Sequence, residues 1–393
     1  MNRGLIALAI VTFALGITEF GMMGVLGDVS RSLGISVVKA GHFISAYSLG
    51  VAVGAPLLIV LRRLPLKLLL VLLAAVVFIG NGAAALAPGY HTLLIARFVA
   101  GLPHGAFFGA GAIVCARMAR PGSGAAAVAV MVSGMTLANV AGVPLATFLS
   151  NALSWRWAFA LVAMCALCGC VALQLWLPEI SPLPDTGLKG QFRFLRSPAP
   201  WLIYAGVFFG QGSVYCFLSY IDPAMTGSAG FRVADMSWIM MVAGAGMVAG
   251  NALSGRLAMR YPAAAVAGTI CLLLVPVMTA LFWLSTVKAA VVILTFVATA
   301  GLFGVGGPLQ YLIVGYARGG EMLGGAGIQI AFNVSNSCSA MIGGLALSFA
   351  SSSHWLVASH RAEALPALVG VPFALIGAAA LFVLLKKYPA PSA

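Results

Sequence analysis

Leu68-Leu-Leu-Val-Leu-Leu-Ala-Ala-Val-Val-Phe-Ile-Gly-Asn-Gly-Ala-Ala-Ala-Leu-Ala87 holds no charged side chain and a single polar one, Asn81. At about 1.5 Å per residue, a helix of this length crosses the roughly 30 Å hydrocarbon layer of a bilayer. The run lacks the period-2 alternation of a barrel strand, so its backbone groups, which find no partners in lipid, are satisfied within a helix. Two comparable runs precede it, Leu5 to Leu26 and Ala40 to Leu61. Nine follow: Thr92 to Ala116, Ala125 to Ser150, Trp157 to Leu177, Trp201 to Ile221, Val233 to Ser254, Ala263 to Leu284, Ala289 to Val314, Gly324 to Ala350 and Ala364 to Leu385. No connection is long enough for a soluble domain. The expectation is an all-α membrane protein of twelve transmembrane helices.

Composition excludes the soluble classes. Hydrophobic residues make up 62% and charged residues 7%, against roughly a quarter charged in a soluble domain. The net charge of +13 does not mark a nucleic-acid partner, because the basic residues sit in short connections and form no contiguous patch. The N-terminal run is too long for a cleaved leader, contains Glu19 and is followed by further spans, so it reads as a retained first helix. All seven cysteines lie in apolar stretches, as buried small hydrophobes do, and imply neither a disulfide framework nor a metal site.

The longest polar interruption, Pro178 to Pro200, divides the spans six and six. It predicts an N-terminal half, 1–180, a cytoplasmic linker, 181–199, and a C-terminal half, 200–393. Of the Lys and Arg residues, fourteen fall in the connections on the side of the termini and six, Arg31, Lys39, Arg156, Arg232, Lys288 and Arg361, on the other. Arg97 falls within a span. The positive-inside rule then places both termini in the cytoplasm. The halves also repeat: Gly54 and Gly250, Gly101-Leu102 and Gly301-Leu302, and Asn139-Val140 and Asn333-Val334 are offset by 196, 200 and 194 positions. A near-constant offset argues for two parallel six-helix copies.

Two motifs carry a family resemblance. Gly134-Met-Thr-Leu-Ala-Asn139-Val-Ala-Gly142-Val-Pro144, followed by Trp155-Arg156-Trp157-Ala-Phe159, resembles the antiporter signature of twelve-helix drug:proton antiporters of the major facilitator superfamily. Arg97-Phe-Val-Ala-Gly101-Leu-Pro-His104-Gly105 resembles that family's intramembrane arginine motif, in which the arginine assists proton transfer. The connection after the second span keeps basic Arg62, Arg63 and Lys67 but departs from the family pattern in lacking its Asp. Thr18-Glu19-Phe20-Gly21-Met22, Ala40-Gly41-His42, Pro103-His104-Gly105-Ala-Phe-Phe and Leu195-Arg-Ser-Pro-Ala-Pro-Trp201 resemble sugar exporters of the superfamily over nearly the whole chain. The resemblance implies a midplane site between two rocking halves, a monomer in the bacterial inner membrane, and proton-linked export of a sugar or similar small organic molecule. It also implies conformational roles for Gly134, Gly142, Pro144, Arg62, Arg63 and Lys67.

The residues themselves narrow the chemistry. An ionisable group deep in lipid is a functional candidate by default, and of the eight acidic residues only Glu19 lies well inside a span. Counted from the outer ends of their spans, Glu19 is roughly 12 Å deep, Arg97 roughly 8 Å and His104 roughly 18 Å. Arg97 and His104, seven apart, share a helix face. Two readings of Glu19 stand: a static ion pair with Arg97, or a site that exchanges protons as the cavity alternates. His104, whose ordinary pKa is about 6.5, is either a hydrogen-bonded structural histidine or a second proton carrier.

Substrate contacts are expected from Asn139, Gln211, Gln310, Gln329, Asn333 and Asn336, whose amides can pair with hydroxyls on an apolar wall; each is otherwise interhelical glue. Asn333 and Asn336 are expected to face the central cavity near the midplane. Gly50-x-x-x-Gly54, Gly101-x-x-x-Gly105-x-x-x-Gly109 and Gly246-x-x-x-Gly250 permit close helix approach, and Pro144 should bend or loosen its span. There is no nucleotide loop of the Gly-x-x-x-x-Gly-Lys-Ser/Thr type, so neither ATP nor any cofactor is expected. The implied partners are a small-molecule substrate, protons and membrane lipid. A membrane enzyme would need a nucleophile and base or a ligand cluster, and the scattered His42, His91, His354 and His360 make none.

Overall fold

The computed structural model describes residues 3–54, 61, 64–119, 124–180, 192–317 and 321–388. Arg62, Arg63 and residues 181–191 of the expected linker lie outside the described residues. Among those described, twelve helices are long and apolar enough to cross a membrane. In chain order they are span 1 (Arg3–Gly24), span 2 (Val37–Gly54), span 3 (Leu66–Ala85), span 4 (Tyr90–Cys115), span 5 (Val130–Ala152) and span 6 (Trp155–Trp176). The second half holds span 7 (Pro198–Leu218), span 8 (Val233–Ala258), span 9 (Ala263–Trp283), span 10 (Lys288–Ile313), span 11 (Leu323–Ser352) and span 12 (Ala362–Lys387). An even number of spans puts both termini on one face of the bundle.

Local sequence sets the ends. Span 6 starts at Ser154, whose hydroxyl accepts the Arg156 amide, and span 7 at Ser197, which accepts that of Ala199; each hydroxyl satisfies an otherwise orphaned helical donor. Pro198 and Ala199, placed in the linker by sequence, are the first residues of span 7, because proline's fixed φ suits a first helical turn. Lys67, at the start of span 3, pairs with Glu179 beyond span 6 at 3.2 Å.

Three elements depart from unbroken spans. Span 4 is interrupted at Leu102, between helices Tyr90–Gly101 and Pro103–Met118, because Pro103 has no amide hydrogen to continue the ladder. Span 5 passes through a π turn, Ala138–Gly142. Pro144 gives nothing to the Val140 carbonyl, and the Val143 amide reaches back to Ala138, which is the expected loosening in a specific form. The connection after span 1, read as loop, contains a helix, Leu26–Leu33, capped by Gly34 at φ 61°, a left-handed conformation that favours glycine.

Glycines set the closest helix contacts. A Cβ at Gly50 or Gly54 would strike the Phe98 or Leu102 carbonyl of span 4, and one at Gly246 or Gly250 the Phe296 or Ala300 carbonyl of span 10. The same device therefore joins spans 2 and 4 in one half and spans 8 and 10 in the other.

The halves meet mainly at the end away from the termini. Ser45 of span 2 and Ser337 of span 11 each donate to the other's carbonyl, at 3.1 and 3.2 Å. The Asn151 amide donates to the Val233 carbonyl at 2.9 Å. The Gly27 amide, at the start of the Leu26–Leu33 helix, donates to the Asp222 carboxylate at 2.5 Å. Asp222, one residue beyond the span that the sequence predicts, is 3% exposed, because the segment after span 7 packs against span 1 and the Leu26–Leu33 helix of the opposite half. Phe20 stacks on Tyr215 across the same seam.

Candidate transport site

Glu19 is 1% exposed, and neither carboxylate oxygen has a hydrogen-bond partner. His104 Nε2 lies 3.9 Å from Oε2, too long for a hydrogen bond. On the other edge of the ring, His104 Nδ1 lies 2.7 Å from the Tyr47 hydroxyl, so the histidine is held by span 2 while it faces span 1.

Arg97 forms no ion pair with Glu19, one of the two readings that the sequence leaves open. Its Nη1 donates to the Thr18 carbonyl at 2.9 Å and its Nε to that of Phe43 at 3.3 Å. The guanidinium lies 4.5 Å from the centre of the Tyr47 ring and 5.6 Å from that of Phe159. Two backbone acceptors and two aromatic faces engage the cation and tie spans 1, 2, 4 and 6 together, while Nη2 has no hydrogen-bond partner. Tyr47 thus links the two basic residues of span 4, Arg97 and His104. Its only signal in the sequence is a phenol in the middle of an apolar span, which is as often packing.

A cavity of about 240 Å³ opens beside Glu19, between the halves. The N-terminal half contributes Glu19, His104, Phe108, Val132 and Met135, and the C-terminal half Gln211, Asn251, Phe303, Gly306, Gly307, Gln310, Ile328, Gln329 and Phe332. The Gln211 amide also donates to the Leu302 carbonyl at 3.0 Å. Asn251 and Gln310 are exposed. Asn251, absent from the amides expected to contact substrate, directly follows Gly250 in a span with few other polar groups.

Asn139, Asn333 and Asn336 are buried and do not line this cavity. On span 11, Asn333 and Asn336 share the face of Gln329 but sit one and two helical turns nearer the closed end. That places them at the level where Ser45 and Ser337 lock the seam. The Asn333 amide donates to the Gln329 carbonyl at 3.0 Å, while its Oδ1, both Asn336 side-chain atoms and Asn139 Oδ1 have no partner. Asn139 lies where spans 5 and 8 touch, its carbonyl against Gly244. Gly134 packs on Ala9 and Thr12, and Gly142 on Ile17 and Phe13.

Residues 8–329 match the family profile described as Major Facilitator Superfamily. The chain belongs to the major facilitator superfamily. It is therefore a membrane transporter and not an enzyme. Over 348 residues it is 45% identical to the "Putative transporter AraJ" of Escherichia coli (strain K12), covering 88% of each chain. Over 385 residues it is 30% identical to a chloramphenicol resistance protein of Streptomyces lividans, covering 95% of this chain and 96% of that one. Among solved structures it resembles a bacterial homologue of the human lysosomal transporter Spinster, in an inward-facing, unoccupied conformation. The TM-score there is 0.78 at 18% identity, over 99% of this chain and 98% of that one. That likeness establishes a shared fold.

Proposed function

We propose that the chain exports a small organic solute across the bacterial inner membrane in exchange for protons, with both termini in the cytoplasm. The observation that carries this reading is Glu19. A buried carboxyl without a donor sits on the wall of a cavity shared by both halves, 3.9 Å from a histidine. A structural ion pair would be expected to satisfy such a carboxylate. A group that takes up and releases a proton as its surroundings change needs no fixed partner.

Gln211, Asn251, Gln310 and Gln329, set among Phe108, Phe303 and Phe332, suit a substrate that carries hydroxyl or amide groups on an apolar frame. Such a surface fits a sugar derivative, and equally the kind of compound that the name of the Streptomyces relative mentions. Asn139, Asn333 and Asn336 join the site when the closed end opens. Each leaves a buried amide atom unpaired in the present state, at about 1–3 kcal/mol apiece, and water or substrate would relieve that cost. Gly134, Gly142 and Pro144 would let span 5 flex, and Lys67 would brace spans 3 and 6. The chain is proposed to act as a monomer.

The test is transport in proteoliposomes under an imposed pH gradient, with candidate sugars and amphiphilic drugs. Glu19→Gln mimics the protonated acid. It should abolish the response to the gradient while substrate binding or downhill exchange persists. Full gradient-driven transport by well-folded Glu19→Gln protein would overturn the assignment, and downhill movement indifferent to pH in the unaltered chain would make it a uniporter.

A further inference from the structure

A second hollow, of about 530 Å³, lies outside the transport cavity and opens sideways toward the bilayer. It crosses the seam between the halves, with spans 2 and 4 on one side and span 11 on the other. Leu49, Leu94, Ile95, Phe98 and Met341 form its apolar walls. Leu49, Ile95 and Met341 are 49%, 64% and 56% exposed, so the wall continues into the lipid-facing surface. Ser45 and Ser337, whose reciprocal hydrogen bonds join the halves, also line it.

The polar end has a definite chemistry. His42 Nδ1 lies 2.7 Å from the Tyr90 hydroxyl, and the Lys39 ammonium sits 4.6 Å above the Tyr90 ring. Both groups are within two turns of the start of span 2, and Tyr90 starts span 4, the depth at which headgroups lie. Residues 34–46, 86–98 and 337–354, which surround the hollow, contain no Asp or Glu. A basic rim above an apolar slot is complementary to an anionic amphiphile.

We propose that this hollow binds one anionic phospholipid of the leaflet facing away from the termini, its phosphate at Lys39, His42 and Tyr90 and an acyl chain along Ile95, Phe98 and Met341. Such a lipid touches both halves only while this end is closed, so it favours the closed arrangement through differential affinity. The site stands independently of what the protein transports.

The full chain, delipidated in detergent, would be titrated with phosphatidylglycerol and with phosphatidylcholine of the same chains, with bound lipid counted by native mass spectrometry. One phosphatidylglycerol should be retained in preference to phosphatidylcholine. Lys39→Gln should weaken that retention about fivefold, the effect of one cation near a lipid surface. Ile95→Trp, which fills the slot from an exposed position, should reduce retention of both lipids without lowering the lipid-free melting temperature. Equal retention of the two lipids by the unaltered chain would overturn the proposal. So would a preference unchanged by Lys39→Gln but abolished by Arg193→Gln with Arg196→Gln, which would place the lipid on the opposite face, and so would retention unaffected by Ile95→Trp.

Discussion

At the scale of single residues, depth along a span is legible in sequence and partner choice is not. Glu19, Arg97 and His104 stood out because ionisable groups in lipid are costly. Which of them meet depends on how three helices are rotated about their axes, and that is set by packing. Arg97 therefore takes carbonyls and rings, while His104 takes Tyr47 and faces Glu19. Asp222 was hidden for the same reason, since its burial is created by the opposite half. Burial pushes its carboxyl up to about 6, the Gly27 amide and Arg31 pull the other way, and nearby Asp28 adds to the rise. Asp28 itself is engaged by Arg31 and the Ser150 hydroxyl. If the halves part at this end, Asp222 returns to water and should revert toward its ordinary pKa of about 3.9. The closed state then binds the proton more tightly, so closure gains stability as pH falls from above 6 toward 4, by an amount on the order of 2–3 kcal/mol at most. With the seven native cysteines replaced by serine, spin labels at Ser32→Cys and Val287→Cys, on exposed positions of opposite halves, should report a larger closed population at pH 5 than at pH 7.5. Asp222→Asn should flatten that dependence; a slope unchanged in the variant would remove Asp222 as its source.

At the scale of elements, the glycine pairs were legible because helix packing is periodic, and their partners were not. Gly54 and Gly250 occupy equivalent positions, and each meets a backbone carbonyl of the facing span, that of Leu102 or Ala300. The added methyl of Gly54→Ala or Gly250→Ala has no flexible side chain to displace, so a helix pair must separate. Each should lower stability by about 1–3 kcal/mol, the usual cost of overpacking, read as a fall in melting temperature in detergent. Gly82, also within a span, has open space where a Cβ would stand. Gly82→Ala should be neutral or slightly stabilising, since glycine inside a helix costs about 0.5–1 kcal/mol relative to alanine. Equal behaviour of all three variants would show that glycine content matters and the seam contacts do not. The bend at Pro144 was legible from the missing amide hydrogen. Its resolution into a π turn was not, because that depends on where the Val143 amide finds an acceptor.

At the scale of the whole molecule, two six-helix halves could be read from sequence, whereas the end at which they close could not, because one sequence must serve both arrangements. The hydrogen bonds between halves described above all lie toward the end away from the termini, and the exposed amides Asn251 and Gln310 lie toward the other. If the halves rock about the Glu19 cavity, the Ser45 and Ser337 contacts must break once per cycle. Ser45→Cys with Ser337→Cys replaces two weak reciprocal hydrogen bonds, each worth about 0.5–1.5 kcal/mol net, with a covalent link that thermal motion cannot open. Oxidised protein should bind substrate from the terminus side with nearly unchanged affinity, since that mouth is left free, yet carry out no net transport. Reductant should restore transport. Each single cysteine variant, made like the pair in a chain whose seven native cysteines, Cys338 beside the seam included, are replaced by serine, should transport normally after oxidation and so exclude damage by the oxidant. Undiminished transport by fully cross-linked protein would mean that the seam between spans 2 and 11 stays shut throughout the cycle, and that access alternates by movement elsewhere in the bundle.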